Sequence, residues 1–176
     1  GEAFDKVSKH LGLGYPGGVA IDQIARTGDP TAFAFPDPSL HKGDHPYDVS
    51  YSGLKTAVIN QLDRFWNGTS ERTPANIAAS FQRAAVNMLV RRVVRAASDT
   101  GLGTVVVGGG VAANSYLRAR LLEEESVSAY FPDRVLCTDN AAMIAGVGYR
   151  YLQAGREAGW TETVSARVHS FRRTYP

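Results

Sequence analysis

The feature that most constrains this chain is a β-branched run that ends in three consecutive glycines. Residues 104–107 read Thr-Val-Val-Val, which is typical of a strand buried on both faces of a parallel sheet. Gly108, Gly109 and Gly110 follow directly, and apolar residues at helical spacing continue to about Glu124. A strand, a glycine turn and a helix in this order indicate an α/β fold.

The glycine turn has two interpretations. Without Cβ atoms, Gly108–Gly110 let the backbone approach a ligand closely, and the next helix begins with free N–H groups. Asn114 can both donate and accept hydrogen bonds, which suits a purine or ribose edge. The same residues also fit a tight turn with Asn114 as a local helix cap. A glycine-rich turn alone does not distinguish a nucleotide loop from this structural role.

A second candidate segment surrounds Asp139, where an apolar stretch gives way to a helix containing Met143 and Val147. Aspartate is a favoured N-cap. A carboxylate at such a junction also suits a hard or borderline metal ion, and both roles stay open. Cys137, the only cysteine, is expected to be buried and inert.

A third candidate segment lies near the start of the chain. Residues 4–27 are predicted to form two short helices separated by the glycine-rich stretch Gly12–Gly18. Asp5 and Asp22 flank this stretch. Their carboxylates either accept hydrogen bonds from substrate hydroxyls or serve as solvated or capping groups.

Residues 28–98 are predicted to contain a loop, a short strand and two helices. Residues 28–46 hold four prolines and are predicted to be a loop. Residues 47–52 are expected to form a short strand, and Ser52 to cap a helix that stops at Asn67-Gly68. Thr73-Pro74 predicts the start of a long helix that ends near Ser98.

Other polar groups have structural explanations that compete with functional ones. His41 and His45 have a metal-ligand spacing, but they lie in the proline-rich loop and are interpreted as surface residues. Lys55 either attracts an anion or is a solvated first-turn residue. Arginines on the long helix either touch RNA phosphates or form a solvated face; they are Arg83, Arg91, Arg92 and Arg95.

Charge and composition exclude several classes of protein. The 176 residues contain 19 Lys and Arg against 17 Asp and Glu, so a strongly basic nucleic-acid arm and an acidic disordered tail are excluded. Hydrophobic residues make up 44% of the chain, which is typical of a globular protein. No apolar run approaches the roughly 18–20 residues of a membrane span. The chain opens on patterned sequence without a methionine, which suggests a piece of a larger polypeptide.

Five segments together resemble the tRNA threonylcarbamoyl-adenosine transferase family. This is the bacterial TsaD family, also known as Gcp, whose archaeal and eukaryotic counterparts work in the KEOPS complex. The segments occur in the family's order and cover most of residues 1–155. They read GEAFDKVSKHLGLGYPGG, YSGLKTAV, ANIAASFQ, VVVGGGVAANSYLR and LCTDNAAMIAGVGY.

The resemblance implies one lobe of an actin-like (ASKHA) ATPase fold, with a helical N-terminal insertion, in roughly the C-terminal half of the family's chain. Residues 1–155 would form the lobe, with a helical substrate-contacting segment at 1–27, the loop at 28–46 and an α/β core at 47–155. Residues 156–176 would be an irregular tail that departs from the usual family ending.

The resemblance also implies an activity and a set of site residues. Family members transfer a threonylcarbamoyl group from threonylcarbamoyl-adenylate to N6 of adenosine 37 in ANN-decoding tRNAs. By the family pattern, Asp5, Gly18 and Asp22 contact the substrate, and Asn114 contacts its nucleotide part. Asp139 would be one ligand of an iron or zinc ion. The other ligands would be a His-x3-His pair in the N-terminal half, and no residue here is a clear general base.

Partners and alternatives follow from the same resemblance. TsaB- and TsaE-like proteins and tRNA are the expected partners, in the cytoplasm and without a membrane. The chain alone is expected to be inactive and to self-associate. The alternatives are a small-molecule carbamoyltransferase of the same superfamily and a non-catalytic interaction lobe. An endopeptidase is disfavoured, because no HEXXH-like motif is present.

Overall fold

The computed structural model describes residues 1–36, 47–157 and 159. The chain divides into two compact units, Gly1–Asp139 and Asn140–Pro176. The described part of the first unit contains α1 (Glu2–His10), α2 (Gly17–Ala25), α3 (Ser52–Asn60), α4 (Leu62–Phe65), α5 (Pro74–Thr100), β1 (Thr104–Val106), a 3-10 turn (Gly110–Ala113), α6 (Ser115–Leu122), β2 (Ser128–Tyr130) and a second 3-10 turn (Arg134–Leu136). Helices and a small parallel sheet confirm the predicted α/β class.

A helical core joins α1, α2 and α3 to the first half of α5. Val7, Ile21 and Leu54 are fully buried in it. The ring of Phe4 meets the fully buried Phe81 edge to face, with ring centroids 4.9 Å apart. The predicted helix pair around the glycine-rich stretch is confirmed as α1 and α2. This core fixes the position of α2, which carries two of the candidate site residues.

The ends of α5 follow the local signals in the sequence. The Thr73 side chain accepts a hydrogen bond from the Asn76 N–H at 3.1 Å, and Pro74 is the first helical residue. Gly101 ends the helix with a φ of +71°, a left-handed conformation that favours glycine. The predicted start is therefore confirmed, and the helix ends two residues beyond Ser98.

The two strands form a parallel pair in which Val105 lies opposite Ala129. Val107 and Phe131 continue one face of this pair and pack against a second cluster containing Leu117 and Leu121. The other face is open. Val106 is 78% exposed and Tyr130 60% exposed, so the prediction of a strand buried on both faces is wrong for the described residues.

Three other local predictions are corrected. Residues 48–51 form no strand; Tyr47 instead donates its hydroxyl to Asp99 at 3.0 Å, and the Asp48 carbonyl accepts from Arg92 at 3.3 Å. The predicted single helix breaks at Gln61 into α3 and α4. Ser52 is the first residue of α3 and makes no capping hydrogen bond to it.

The described part of the second unit contains α7 (Ala141–Gln153). Asn140 is its N-cap, and its side chain accepts from the Met143 N–H at 3.1 Å. Residues 160–176, most of the predicted tail, lie outside the described residues. No helix in the described ranges is both long enough and apolar enough to cross a membrane.

Candidate functional site

The glycine turn is an exposed backbone loop between β1 and the first 3-10 turn. Gly108, Gly109 and Gly110 are all exposed, and a Cβ on any of them would meet no atom within 4 Å. Gly109 alone has a positive φ, +79°, which disfavours other residues there. The loop therefore presents open backbone to its surroundings, as a ligand-binding loop requires.

Asn114 uses its amide group inside the protein. Its Oδ1 accepts from the Leu117 N–H at 2.9 Å and caps α6. Its Nδ2 donates to Oε1 of the buried Gln82 at 2.8 Å. The capping interpretation is therefore correct, and it leaves one amide hydrogen on Nδ2 for a ligand.

Asp22 joins α2 to the start of α6. Its carboxylate is buried, and Oδ1 accepts from both the backbone N–H of Ser115 at 3.0 Å and the Ser115 hydroxyl at 2.7 Å. The other oxygen, Oδ2, pairs with Arg26 at 3.3 Å. Asp22 thus satisfies one of the orphan N–H groups at the start of α6.

Asp5 has the corresponding role at the start of α2. Its Oδ1 accepts from the Gly17 N–H at 2.8 Å. A Cβ on Gly17 would lie 2.5 Å from the Cα of Asp5, so only glycine permits this approach of α1 and α2. Gly18 is exposed, and a Cβ there would meet nothing.

Four predicted site residues are therefore linked through their neighbours. Asp5 holds the residue before Gly18, and Asp22 holds the residue after Asn114. The series runs from α1 through α2 to the start of α6, just after the glycine loop. Two separate sets of hydrogen bonds, one at each end of this series, thus connect α1 to α2 and α2 to α6.

A cavity of about 240 Å³ lies beside this arrangement. Lys55, Ser52, Glu2 and Val111 line it together with Gly1, Ala3, Phe4 and Tyr51. Val111 directly follows the glycine loop, so the cavity adjoins that loop. A hydrogen bond from Lys6, together with the charges of Lys6 and Lys55, holds the pKa of Glu2 below its usual range. Lys55 is therefore part of a cavity wall, and one of its neighbours is an ionised carboxylate.

Asp139 is exposed, and Asn140 rather than Asp139 caps α7. The capping interpretation of Asp139 is therefore wrong. No group of three or more His, Cys, Asp or Glu side chains that could hold a metal ion occurs within residues 1–36 and 47–157. His41 and His45 lie outside the described residues. Within the described ranges, Asp139 can offer an exposed carboxylate but not a complete ligand set.

The predicted arginine face of α5 divides into two kinds of residue. Arg83, Arg91 and Arg95 are exposed, and Arg95 pairs with Asp99 at 3.4 Å. Arg92 is buried and donates to the Asp48 carbonyl. Arg92 is therefore a structural residue, whereas the other three lie on the surface.

Arg118 is a residue of this region that the sequence reasoning missed. Its guanidinium donates to the carbonyls of Ala112 and Pro132 and contacts Cys137. The signal was its position in the first turns of α6, where the helix macrodipole disfavours a cation. An arginine at such a place indicates a specific local partner.

Comparison with known proteins identifies the sequence pattern. A family model described as TsaD, tRNA N6-adenosine threonylcarbamoyltransferase, matches residues 1–146. Curated proteins with that same name match nearly the whole chain. The protein from Treponema denticola is 58% identical over 97% of this chain, that from Treponema pallidum 54% over 97%, and that from Acaryochloris marina 49% over 96%.

The relatives are longer than this chain. The matched region covers 51%, 49% and 48% of the Treponema denticola, Treponema pallidum and Acaryochloris marina proteins. The chain therefore spans about half the length of the curated relatives it matches.

Proposed function

Because this chain belongs to the TsaD family of tRNA N6-adenosine threonylcarbamoyltransferases, we propose that it forms the C-terminal half of such an enzyme. The complete protein would transfer threonylcarbamoyl from threonylcarbamoyl-adenylate to N6 of adenosine 37 in ANN-decoding tRNAs. Residues 1–155 would be one lobe of an actin-like ATPase fold. The small parallel sheet and its covering helices are consistent with that lobe.

One observation carries the proposal: Asp22 holds the start of α6, which one 3-10 turn separates from the exposed glycine loop. The family pattern assigns substrate contacts to Asp5, Gly18, Asp22 and Asn114. The linked arrangement of these four residues supports a common site, because ligand contacts require groups held in fixed relative positions.

The side chains of this series retain hydrogen-bonding capacity for a nucleotide. Asp5 uses Oδ1 for the Gly17 N–H, so Oδ2 can accept from a ribose hydroxyl. Asn114 keeps one Nδ2 hydrogen that can be donated to the nucleotide. The backbone N–H groups of Gly109 and Gly110 suit the phosphate, since glycine loops permit close approach of an anion.

The reaction demands positioning more than strong acid or base chemistry. The adenylate is a mixed anhydride with AMP as its leaving group, and the nucleophile is an exocyclic amine of low basicity. Holding the two at reacting distance therefore supplies much of the rate. Asp5, Asp22 and Asn114 would orient the adenylate, and the glycine loop would stabilise charge that develops on its phosphate.

A divalent iron or zinc ion completes the proposed site, with Asp139 as one ligand. The exposed carboxylate of Asp139 suits this role, and the remaining ligands would come from the other half of the complete protein. When bound, the ion would supply positive charge near the oxygens of the adenylate. TsaB- and TsaE-like proteins would be further partners of the complete enzyme, in the cytoplasm.

The test uses the complete protein that contains this sequence, supplied with threonylcarbamoyl-adenylate, an ANN-decoding tRNA and the TsaB- and TsaE-like partners. Mass spectrometry of digested tRNA should detect threonylcarbamoyl-adenosine, and Asp5→Asn should reduce its formation at least tenfold. Asp48→Asn is the matched control and should not. Transfer to a small molecule without tRNA would instead support the small-molecule carbamoyltransferase, and partner binding without any transfer would support a non-catalytic lobe.

A further inference from the structure

Arg118 connects two segments that are separate in the sequence. Its Nε donates to the Ala112 carbonyl at 2.6 Å, within the 3-10 turn that begins at Gly110. Its Nη2 donates to the Pro132 carbonyl at 2.5 Å and lies 3.3 Å from the sulfur of Cys137. One side chain thus bonds both the 3-10 turn that follows the glycine loop and the segment that leads to Asp139.

The geometry favours arginine over other cations. The guanidinium is planar, and its donors point in fixed directions, so one group can bond two backbone carbonyls at once. Its centre also lies 4.9 Å from the ring centroid of Phe131, a cation–π contact on the same segment as Pro132. A lysine ammonium would keep the charge but not this fork.

Cys137 strengthens the connection on the second segment. The thiol is buried, and its sulfur lies 3.5 Å from the carbonyl of Asp133. Cys137 lies two residues before Asp139, and Arg118 contacts its sulfur directly. The position of Asp139 depends on a short segment that Arg118 holds at Pro132 and at Cys137.

We propose that Arg118 is a positioning residue that holds the glycine loop and the segment 132–139 in a fixed relation. The proposal rests on the proposed function, because it assigns the loop to the nucleotide and Asp139 to the metal. Loss of Arg118 would release both segments together, so the nucleotide affinity of the loop would fall although Arg118 touches no nucleotide.

The experiment compares three variants of the complete protein, with AMP as the probe. Arg118→Met removes the charge and the donors, and Arg118→Lys keeps the charge but not the planar fork. Arg120→Met is the matched control, because Arg120 lies on the same helix and pairs with Glu123 and Glu124 instead. Calorimetry measures AMP binding, amide hydrogen exchange measures opening of residues 108–114 and 132–139, and thermal unfolding measures stability.

We expect Arg118→Met to raise the Kd for AMP at least tenfold and to accelerate exchange in both segments at least tenfold, with α2 unchanged. Arg118→Lys should raise that Kd more than threefold, whereas Arg120→Met should leave it within twofold. A purely structural role would lower the melting temperature without changing the Kd of the folded protein. That result, or faster exchange in only one segment, would overturn the proposal.

Two further outcomes are also decisive. If Arg118→Met does not fold, the test rests on Arg118→Lys. A Kd for AMP of Arg118→Lys within twofold of the wild-type value rejects the positioning role of Arg118. A wild-type protein that does not bind AMP rejects it as well. If the wild type binds AMP and the variants behave as expected, but no threonylcarbamoyl transfer occurs, the proposed function fails while the role of Arg118 stands.

Discussion

Oδ1 of Asp22 accepts two hydrogen bonds from Ser115, one from the backbone N–H at 3.0 Å and one from the hydroxyl at 2.7 Å. The two residues are 93 positions apart in the sequence. The bonds join α2 of the helical core to the first residue of α6. The residue that the family pattern assigns to substrate binding is therefore also a structural connection. Substitutions at Asp22 therefore have to distinguish its structural role from its proposed role in substrate binding.

Asp22→Ala should lower the free energy of unfolding by about 2–4 kcal/mol, because two buried hydrogen bonds to a charged group are lost. Asp22→Asn should cost less than half of that, since its side-chain oxygen can still accept from Ser115. Chemical denaturation measures both values. Asp48→Asn, which removes a charge from an exposed side chain, is the control, and equal losses for the two Asp22 variants would contradict the bonding described here.

Asn114→Ala should also destabilise the protein, by about 1–2 kcal/mol, because the cap of α6 and the partner of buried Gln82 disappear together. Asn114→Asp keeps the cap but replaces the amide donor with an acceptor that faces Oε1 of Gln82. It should lower the melting temperature less than Asn114→Ala, which loses the cap as well, and it should weaken AMP binding, as calorimetry would measure; unchanged affinity would restrict Asn114 to its structural role.

The ends of several helices could be predicted from the sequence because the residues that begin and end a helix act on neighbouring backbone groups. Thr73 and Pro74 define the start of α5, and Gly101 supplies the left-handed residue at its end. The glycine-rich stretch separates α1 from α2 for the same reason. The strand near Tyr47 failed because pairing depends on a distant partner, and this segment bonds to α5 through side chains instead.

The residues of the candidate site stay predictions, and the contacts between them could not be predicted from the sequence. Family resemblance selected Asp5, Asp22 and Asn114, yet no spacing in the sequence shows that Ser115 bonds to Asp22. Arg118 was missed because its position in the first turns of α6 indicates a local partner without identifying it, and two of its partners are backbone carbonyls. Val106 was expected to be buried because it belongs to a β-branched run, which is typical of a strand buried on both faces. Whether other elements pack on a sheet face depends on the rest of the fold.

Asp29 gives the fold a pH dependence of known sign. Hydrogen bonds from the Thr31 hydroxyl at 2.6 Å and the Thr31 N–H at 2.7 Å, then from Ser70 at 2.8 Å, hold the pKa of Asp29 below its usual range. The ionised form therefore stabilises the fold above the ordinary aspartate pKa of about 3.9. That contribution is lost as the pH falls through the folded-state pKa.

Asp29→Asn should consequently lower the melting temperature at pH 7, and the difference from the wild type should shrink below about pH 4. Thermal unfolding across this range measures the effect. The control Asp48→Asn should show a small difference at every pH. A wild-type advantage over Asp29→Asn that stays constant down to pH 2.5 would contradict the proposed cause.

The open face of the two-stranded sheet predicts self-association of the 176-residue chain. Val106 and Tyr130 are exposed on it, and a two-stranded sheet also presents unpaired edges. Light scattering should detect concentration-dependent dimers or larger species. Val106→Lys should reduce them without unfolding the chain, whereas Tyr15→Lys, an equally exposed loop substitution, should not. A wild-type monomer at high concentration would reject this prediction.

Asp139→Asn tests the proposed metal role of Asp139 separately from stability, in the complete protein. Because Asn140 caps α7 and Asp139 is exposed, the substitution should leave the melting temperature nearly unchanged. A neutral amide is a poorer ligand for a divalent ion than a carboxylate, so elemental analysis should find less bound iron or zinc, and threonylcarbamoyl transfer should fall with it. Asn140→Ala should do the opposite: a destabilisation of about 1 kcal/mol with the metal retained. Full metal content and full transfer in Asp139→Asn would show that this carboxylate is not a ligand.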